Sequence, residues 1–277
     1  VTEKIWFITG TTTGLGREWA IAALDRGDRV AATARNVDRI ADLVETYGDR
    51  VLPIALDVTD RLAVFDAVAR AHQHFGRLDV VVNNAGYGQY GMVEELSEQD
   101  MRDLIDTNLF GAVWVTQAVL PFLREQGSGH IVQVASVGGL MAGPTLGIYH
   151  ASKWALEGIS ESLAQEVRDF GIKVTIVEPT GYATAAEGSA RHSTPNPAYA
   201  PQRERFAGNR AARTTREGDP EATREAILAV VDAEEPPLRI IFGDGPLQML
   251  TAIYEARLAA WRTWEAVSIA AHGTPPA

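Results

Sequence analysis

The sequence predicts an α/β protein, a single domain built on a doubly wound parallel sheet of about seven strands with helices on both faces. Three observations carry that expectation. Short β-branched apolar runs recur along the chain, a stretch of helical periodicity follows each of them, and glycine or proline marks most of the joints. Runs such as Val80-Val81-Val82 and Thr175-Ile176-Val177 are too continuously apolar for a half-exposed hairpin, so they require cover on both faces.

Strands are expected at 4–9, 29–34, 51–56, 78–82, 130–135, 172–178 and 238–242. Amphipathic helices are expected at about 15–27, 37–47, 60–75, 98–126, 149–170, 219–233 and 246–270. Gly27, Gly48, Gly76, Gly127, Gly129, Gly171 and the Pro236-Pro237 pair punctuate the joints. No linker, low-complexity segment or internal repeat divides the chain, so residues 1–277 are read as one domain. Residues 182–218 break the regularity, because Gly, Pro, Ser, Arg and Asn crowd there without periodicity. Long structureless segments are uncommon inside compact domains, and this one is read as a substrate loop. Residues 219–277 are then a C-terminal region serving substrate or subunit contacts.

Composition narrows the function classes. With 46% hydrophobic and 22% charged residues the chain is an ordinary soluble globular protein, which excludes collagen-like and disordered classes. A formal charge of −11 repels phosphate backbones, so nucleic acid is not an expected partner. The absence of cysteine removes disulfides, thiolate nucleophiles and cysteine-ligated zinc. No leader-like N-terminal segment and no apolar run of roughly 18 residues is present, so no membrane is expected and the location is read as cytoplasmic.

After the first strand comes Thr9-Gly10-Thr11-Thr12-Thr13-Gly14-Leu15-Gly16, then an amphipathic helix. Glycines there let the backbone turn sharply against a pyrophosphate, while N–H groups at the helix start face the anion. The turn is a dinucleotide site of Rossmann type in outline, with Gly10, Thr12, Thr13, Gly14, Leu15 and Gly16 as its cradle. Trp19 stands where the common G-x-G-x-x-G fingerprint has its final glycine. An acidic residue ending the second strand selects the ribose 2′-hydroxyl, and an arginine accommodates a 2′-phosphate. Here the strand ends Ala34-Arg35-Asn36, so Arg35 points to NADP (NADPH) over NAD. Asp38 reads as a carboxylate near the start of the next helix.

Further on, Asp57-Val58 closes the third strand, Asn83-Asn84-Ala85-Gly86 the fourth, Ser136 follows the fifth, and Tyr149-His150-Ala151-Ser152-Lys153 opens a helix. In T-G-x-x-x-G-x-G, N-N-A-G and Y-x-x-x-K, taken in this order, the sequence resembles the short-chain dehydrogenase/reductase family, closely over residues 4 to about 184. The resemblance implies a catalytic tetrad of Asn108, Ser136, Tyr149 and Lys153. It also implies cofactor contacts from Asp57, Val58, Asn84, Ala85, Gly86, Tyr149, Lys153, Pro179, Gly181 and Thr184. Asn83 reads instead as a structural hydrogen-bonder. The family usually has Pro-Gly after the sixth strand, whereas this chain has Pro179-Thr180-Gly181, so the loop is expected to turn one residue later.

Residue chemistry supports the tetrad separately. Tyr149 and Lys153, four apart, share one helix face. A phenol of pKa about 10 needs roughly 4 kcal/mol of preference for phenolate to reach neutrality. An ammonium about 4 Å away supplies that at an effective dielectric near 20. Tyr149 is therefore expected to act as proton donor and acceptor beside a nicotinamide, with Ser136 holding the carbonyl oxygen. Asn108 falls inside the long helical segment from 98, where asparagine is mildly unfavourable and needs a reason.

The expected substrate walls are Ser136, Val137, Gly138, Gln89 and Tyr182, with the neighbouring loop up to Leu146. They are mostly apolar or small, which implies a neutral, hydrophobic ketone, aldehyde or secondary alcohol. Arg191, Arg203, Arg205 and Arg210 oppose that inference if their loop folds inward. Two other readings keep the nucleotide site: a non-catalytic NAD(P)-binding regulator, and an epimerase or dehydratase with a tightly held nucleotide. The histidines make no metal pattern, since His72 and His74 are two apart and do not share a helix face. No G-x-S-x-G elbow surrounds Ser136. Trp261 and Trp264 form an apolar stripe suited to core, subunit interface or lid. Val113, Val115, Val119, Leu156, Ile159 and Leu163 make the helices 98–126 and 149–170 apolar. By resemblance such helices pair between subunits, giving a homodimer or homotetramer.

Overall fold

The computed structural model describes residues 2–183, 190–211 and 217–273. Strand and helix alternate from the start: β1 (Ile5–Ile8), α1 (Gly14–Asp25), β2 (Arg29–Ala34), α2 (Ala41–Tyr47), β3 (Val51–Ala55), α3 (Arg61–Phe75) and β4 (Val80–Asn83). The second half runs through β5 (Gln89–Tyr90), α4 (Glu98–Ile105), α5 (Gly111–Gln126), β6 (Gly129–Val134), α6 (Gly147–Glu166) and β7 (Ile172–Pro179). Beyond them lie β8 (Arg191–His192), α7 (Ala200–Ala211), α8 (Thr223–Asp232), β9 (Arg239–Phe242), α9 (Pro246–Thr263) and α10 (Glu265–His272).

Seven strands form one sheet in the order β3-β2-β1-β4-β6-β7-β9, every pair parallel. Alternation along β1 shows why both faces are covered. Ile5 and Phe7 join a cluster with Val64 and Val68 of α3, Val115 and Val119 of α5, and Leu163 of α6. Trp6 and Ile8 point the other way, into a cluster with Trp19 and Ala23 of α1, Leu43 of α2, and Ile227 and Val231 of α8. The seven expected strands are these seven, and their helices lie on both faces.

Trp19 explains the missing glycine of the common fingerprint. Its side chain is fully buried, its Nε1 donates to Thr223 Oγ1 at 2.8 Å, and its ring meets Phe242 edge-on with centroids 6.0 Å apart. α1 therefore packs on α8 through an indole rather than a close backbone approach.

Local departures from the sequence expectation have physical reasons. The segment 98–126 is not one α-helix, because a π-turn at Asp106–Phe110 separates α4 from α5. The segment 182–218 is not uniformly irregular: it contains α7 and the short β8, which pairs with β5 in a separate two-stranded ribbon. Strands of two residues carry no periodicity to read. Val115, Val119, Leu156 and Leu163 are buried within the chain's own core, which corrects their reading as subunit-facing; Ile159 is exposed.

Thr180, in the place where the family usually has glycine, continues the sheet. Its N–H donates to Phe242 O at 2.9 Å, and its side chain lies over Gly243. Gly243 has φ +136°, and a Cβ there would fall on the Thr180 side chain. The glycine has in effect moved to the neighbouring strand. Gly243→Ala is expected to destabilise the protein by about 1–3 kcal/mol in urea denaturation. Adding Thr180→Gly should recover part of that loss, whereas strictly additive effects would show that the two positions do not meet.

Candidate active site

Parallel register brings the loops of the site to one edge. Ile8 lies beside Ala32 on one side and Val82 on the other, so the turns after β1, β2 and β4 open together at the point where the strand order reverses. Gly10 and Gly14 have φ of +72° and +63°. A Cβ on Gly16 would collide with the Asn84 side chain and lie 2.6 Å from Gly10 O. Asn84 Nδ2 donates to Thr9 O at 2.9 Å and Gly10 O at 3.0 Å, while Thr9 Oγ1 accepts from the N–H groups of Asn84 and Ala85. The glycine turn and the Asn-Ala-Gly segment are thus one locked unit. Thr12, Thr13, Gly14 and Leu15 are half-buried, Thr13 places no side-chain cap on α1, and the first turn of α1 holds no acidic residue. This cradle fits a dinucleotide pyrophosphate.

Around it, Arg35 is exposed at the end of β2 and has no ion-pair partner among the described residues, whereas nearby Arg17 is paired with Asp42. Asn36 Oδ1 accepts from Asp38 N at 3.0 Å and caps the turn that leads into α2. Asp57 Oδ1 accepts from Thr59 N and Oγ1 at 2.9 and 2.7 Å, and Val58 is buried against Gly111, where a Cβ would collide with it. Asn83 Nδ2 donates to Gln133 Oε1 at 3.0 Å and to Thr116 Oγ1 at 3.2 Å, in a buried network beneath the sheet edge.

Tyr149 and Lys153 lie one turn apart on α6, against the loop after β6. Two glycines permit the contact. A Cβ on Gly138 would come within 3.3 Å of Tyr149 Cε1, and one on Gly139 within 3.1 Å of Lys153 O. Ser136 Oγ accepts from Gly138 N at 3.0 Å and donates to Pro179 O at 3.4 Å, and Ser136 favours the ionised form of the Tyr149 phenol. Lys153 is buried; its Nζ donates to Val134 O at 2.7 Å and stands 5.9 Å from the Tyr149 ring centroid. Asn108 sits in the π-turn, where Oδ1 accepts from Tyr87 N and Nδ2 donates to Tyr87 O, both at 3.0 Å. Gly86 joins the group, since a Cβ on it would lie 3.0 Å from Asn108 Oδ1 and 3.8 Å from Lys153 Nζ. The structure therefore gathers Gly86, Asn108, Ser136, Tyr149 and Lys153 at one place.

The electrostatics differ from the simple Coulomb expectation. Burial holds the Tyr149 phenol above its ordinary value, reinforced by Tyr90 and opposed by Ser136. Burial also brings Lys153 down to about 8, opposed by Glu157. The water lost by both groups on burial outweighs the attraction between ammonium and phenolate. With the phenol raised, Tyr149 carries its proton at neutral pH.

Among the residues expected to wall the substrate, Gln89 is buried with Nε2 donating to Ser193 Oγ at 3.1 Å; beside it, Tyr90 stacks on His192 with centroids 5.0 Å apart. Val137 and Gly138 form the turn capped by Ser136. Tyr182 packs on Gly218 and against the Trp19 cluster, while Gly181 O accepts from Gly218 N at 2.9 Å. Thr184 lies outside the described residues. Arg191 is held by Asp103 at 2.7 Å, Arg203 by Glu95, and Arg205 lies over the Phe206 ring. A cavity of about 250 Å³, bordered by Met92, Val93, Pro144, Thr145, Tyr199 and Phe206, opens beside this region and is almost wholly apolar. α9 touches the same loop through Arg257, whose Nη1 donates to Leu140 O at 3.3 Å; Trp261 and Trp264 are exposed.

Sequence reasoning missed His150. Its ring is buried, Nδ1 donates to Gly138 O at 2.9 Å, and Nε2 accepts from Gly143 N at 3.1 Å, tying the loop to α6 beside Tyr149. Those partners precede it in an aperiodic loop, so no spacing reveals them. His72 stacks on Phe122, and no metal-holding group occurs among the described residues.

The short chain dehydrogenase profile matches residues 4–195. An oxidoreductase, BOA17, of Botryotinia fuckeliana is 43% identical over 96% of this chain and 98% of its own length. A short-chain dehydrogenase from Streptomyces avermitilis is similar in structure, with TM-score 0.89 and 40% identity, covering 98% of both chains. An alcohol dehydrogenase from the archaeon Thermococcus sibiricus, complexed with 5-hydroxy-NADP, superposes with TM-score 0.73 at 26% identity over 87% of this chain and 97% of its own. Another solved neighbour carries NAD. With the family profile spanning most of the chain and relatives at 40% identity or more covering nearly all of it, the chain belongs to the short-chain dehydrogenase/reductase family and is an oxidoreductase of that family.

Proposed function

We propose that this oxidoreductase interconverts a neutral, hydrophobic ketone or aldehyde and its alcohol with NADP(H), using Tyr149 as acid and base. The observation that carries the proposal is the meeting of the Tyr149 phenol, the Ser136 hydroxyl and the buried Lys153 ammonium at the edge of the glycine cradle. A bound dihydronicotinamide supplies the hydride to the carbonyl carbon. Ser136 hydrogen-bonds the carbonyl oxygen and holds it within reach of Tyr149 Oη, which donates the proton. The phenolate left behind is stabilised by the Lys153 ammonium, which stands 5.9 Å from the ring centroid. Asn108 keeps the loop carrying Gly86 and Tyr87 in place beside Lys153.

Arg35, exposed at the strand tip, offers its guanidinium to a 2′-phosphate. The apolar cavity favours a hydrophobic substrate, and Arg191 and Arg203 are engaged by acidic side chains rather than free to hold an anionic one. The exposed Phe110, Trp154 and Ile159 of the α4–α6 region, with Trp261 and Trp264, suit a homodimer or homotetramer.

A panel of ketones and aldehydes should consume NADPH stoichiometrically, and Tyr149→Phe should lower turnover about 100-fold or more while dinucleotide binding by fluorescence persists. Normal turnover in that variant would falsify the assignment. Arg35→Asp is expected to weaken NADPH binding about tenfold more than NADH binding, and equal weakening would make Arg35 a bystander. The reduction rate should also fall as pH rises through about 8, because the Lys153 ammonium is present below that value and lost above it. A rate constant flat from pH 7 to about 10 would exclude this role for Lys153.

A further inference from the structure

One helical turn beyond Lys153 the structure buries two carboxyl groups that the reaction does not use. Glu157 is 5% exposed and Glu178, at the end of β7, is 2% exposed. Around them stand Arg239 on β9 and Glu161 and Lys153 on α6. Arg239 Nε donates to Glu157 Oε2 at 3.0 Å and lies 3.7 Å from Glu178 Oε1, while its Nη2 donates to the half-exposed Glu161 at 2.8 Å. Two buried carboxyls thus face a single guanidinium that is also engaged by a third, solvated one. Each buried group keeps one oxygen, Glu157 Oε1 and Glu178 Oε1, with no hydrogen-bond partner.

Buried like charges facing one cation resist ionising together at neutral pH, and orphaned buried oxygens need a donor. A proton placed between the two groups answers both demands. We propose that Glu157 and Glu178 share a single proton beneath the catalytic turn of α6, and that the one negative charge they keep positions Lys153 as an ammonium. Glu178 is the protonated member, donating to Glu157, which accepts from it and from Arg239. The same element connects to the reaction centre from the other side, because Pro179, next to Glu178, accepts the Ser136 hydroxyl. Burial and the neighbouring Glu157 push Glu178 up to about 7, which agrees with a proton held there near neutrality. The significance for turnover rests on the Tyr149–Lys153 chemistry proposed above; the shared proton itself does not.

The test needs no substrate. Infrared difference spectra of the whole protein at pH 6 should show the carbonyl stretch of a protonated, buried carboxylic acid that Glu178→Gln removes; its absence from the unsubstituted protein overturns the shared proton. The chain has three lysines, Lys4, Lys153 and Lys173, so ε-¹³C lysine NMR resolves the Lys153 titration directly. Glu157→Gln should lower its midpoint by roughly half a unit or more, the effect of removing one charge about 6 Å away even in bulk water. Glu178→Gln should also lower it, since the pair can no longer acquire its second charge; this variant serves if Glu157→Gln does not fold. A midpoint unmoved in either variant, with only thermal stability reduced, makes the cluster a structural brace and overturns the positioning role. Loss of carbonyl turnover across the panel, with the infrared band and the lysine shift both present, sinks the proposed activity and leaves this inference intact.

Discussion

A lysine ammonium held inside the protein is the constraint on which the site depends. Isolated buried charges cost several kcal/mol, and they persist only where hydrogen bonds and opposite charge replace the lost water. Lys153 receives both: the Val134 carbonyl at 2.7 Å, and the carboxylate one turn along α6. The first requires α6 to lie directly on the end of β6. Gly138 and Gly139 make that approach possible, and His150 locks it by bonding across to the same loop. Packing, charge and backbone composition are therefore parts of a single solution.

Asn108 illustrates a second way in which backbone geometry serves the site. In a straight α-helix its amide would have no reason to be buried, and the sequence signals only that something unfavourable stands there. The π-turn at Asp106–Phe110 re-aims it so that its oxygen and nitrogen satisfy both the N–H and the C=O of Tyr87. The loop after β4 is then held like a strand held by a neighbour, although it has no strand partner of its own at that point. A turn with one extra residue leaves no trace in hydrophobic periodicity, because the residues on either side continue the same helical pattern.

Thr180 and Gly243 show the same limit at the level of pairs. Taken alone, threonine in place of the family's usual glycine suggests a displaced turn. In the structure the β7–β9 pairing runs on through Thr180, and a glycine about sixty residues away makes the room. Likewise, the Tyr149–Lys153 spacing reveals a shared helix face, but the raised phenol follows from how much water both groups lose, which no spacing reports.

Sequence alone determined the alternating strands and helices, the doubly wound sheet, the glycine turn and the membership carried by its ordered motifs. Those features are local or periodic: each is set by residues close together in the chain, or by apolar patterning that must match a strand or helix face. Tertiary structure alone decided the π-turn at Asn108, the clasp of His150, the engagement of the loop arginines and the pairing of Glu157 with Glu178. These depend on which distant segments meet and on how far water is excluded when they do, and neither quantity exists until the chain has folded.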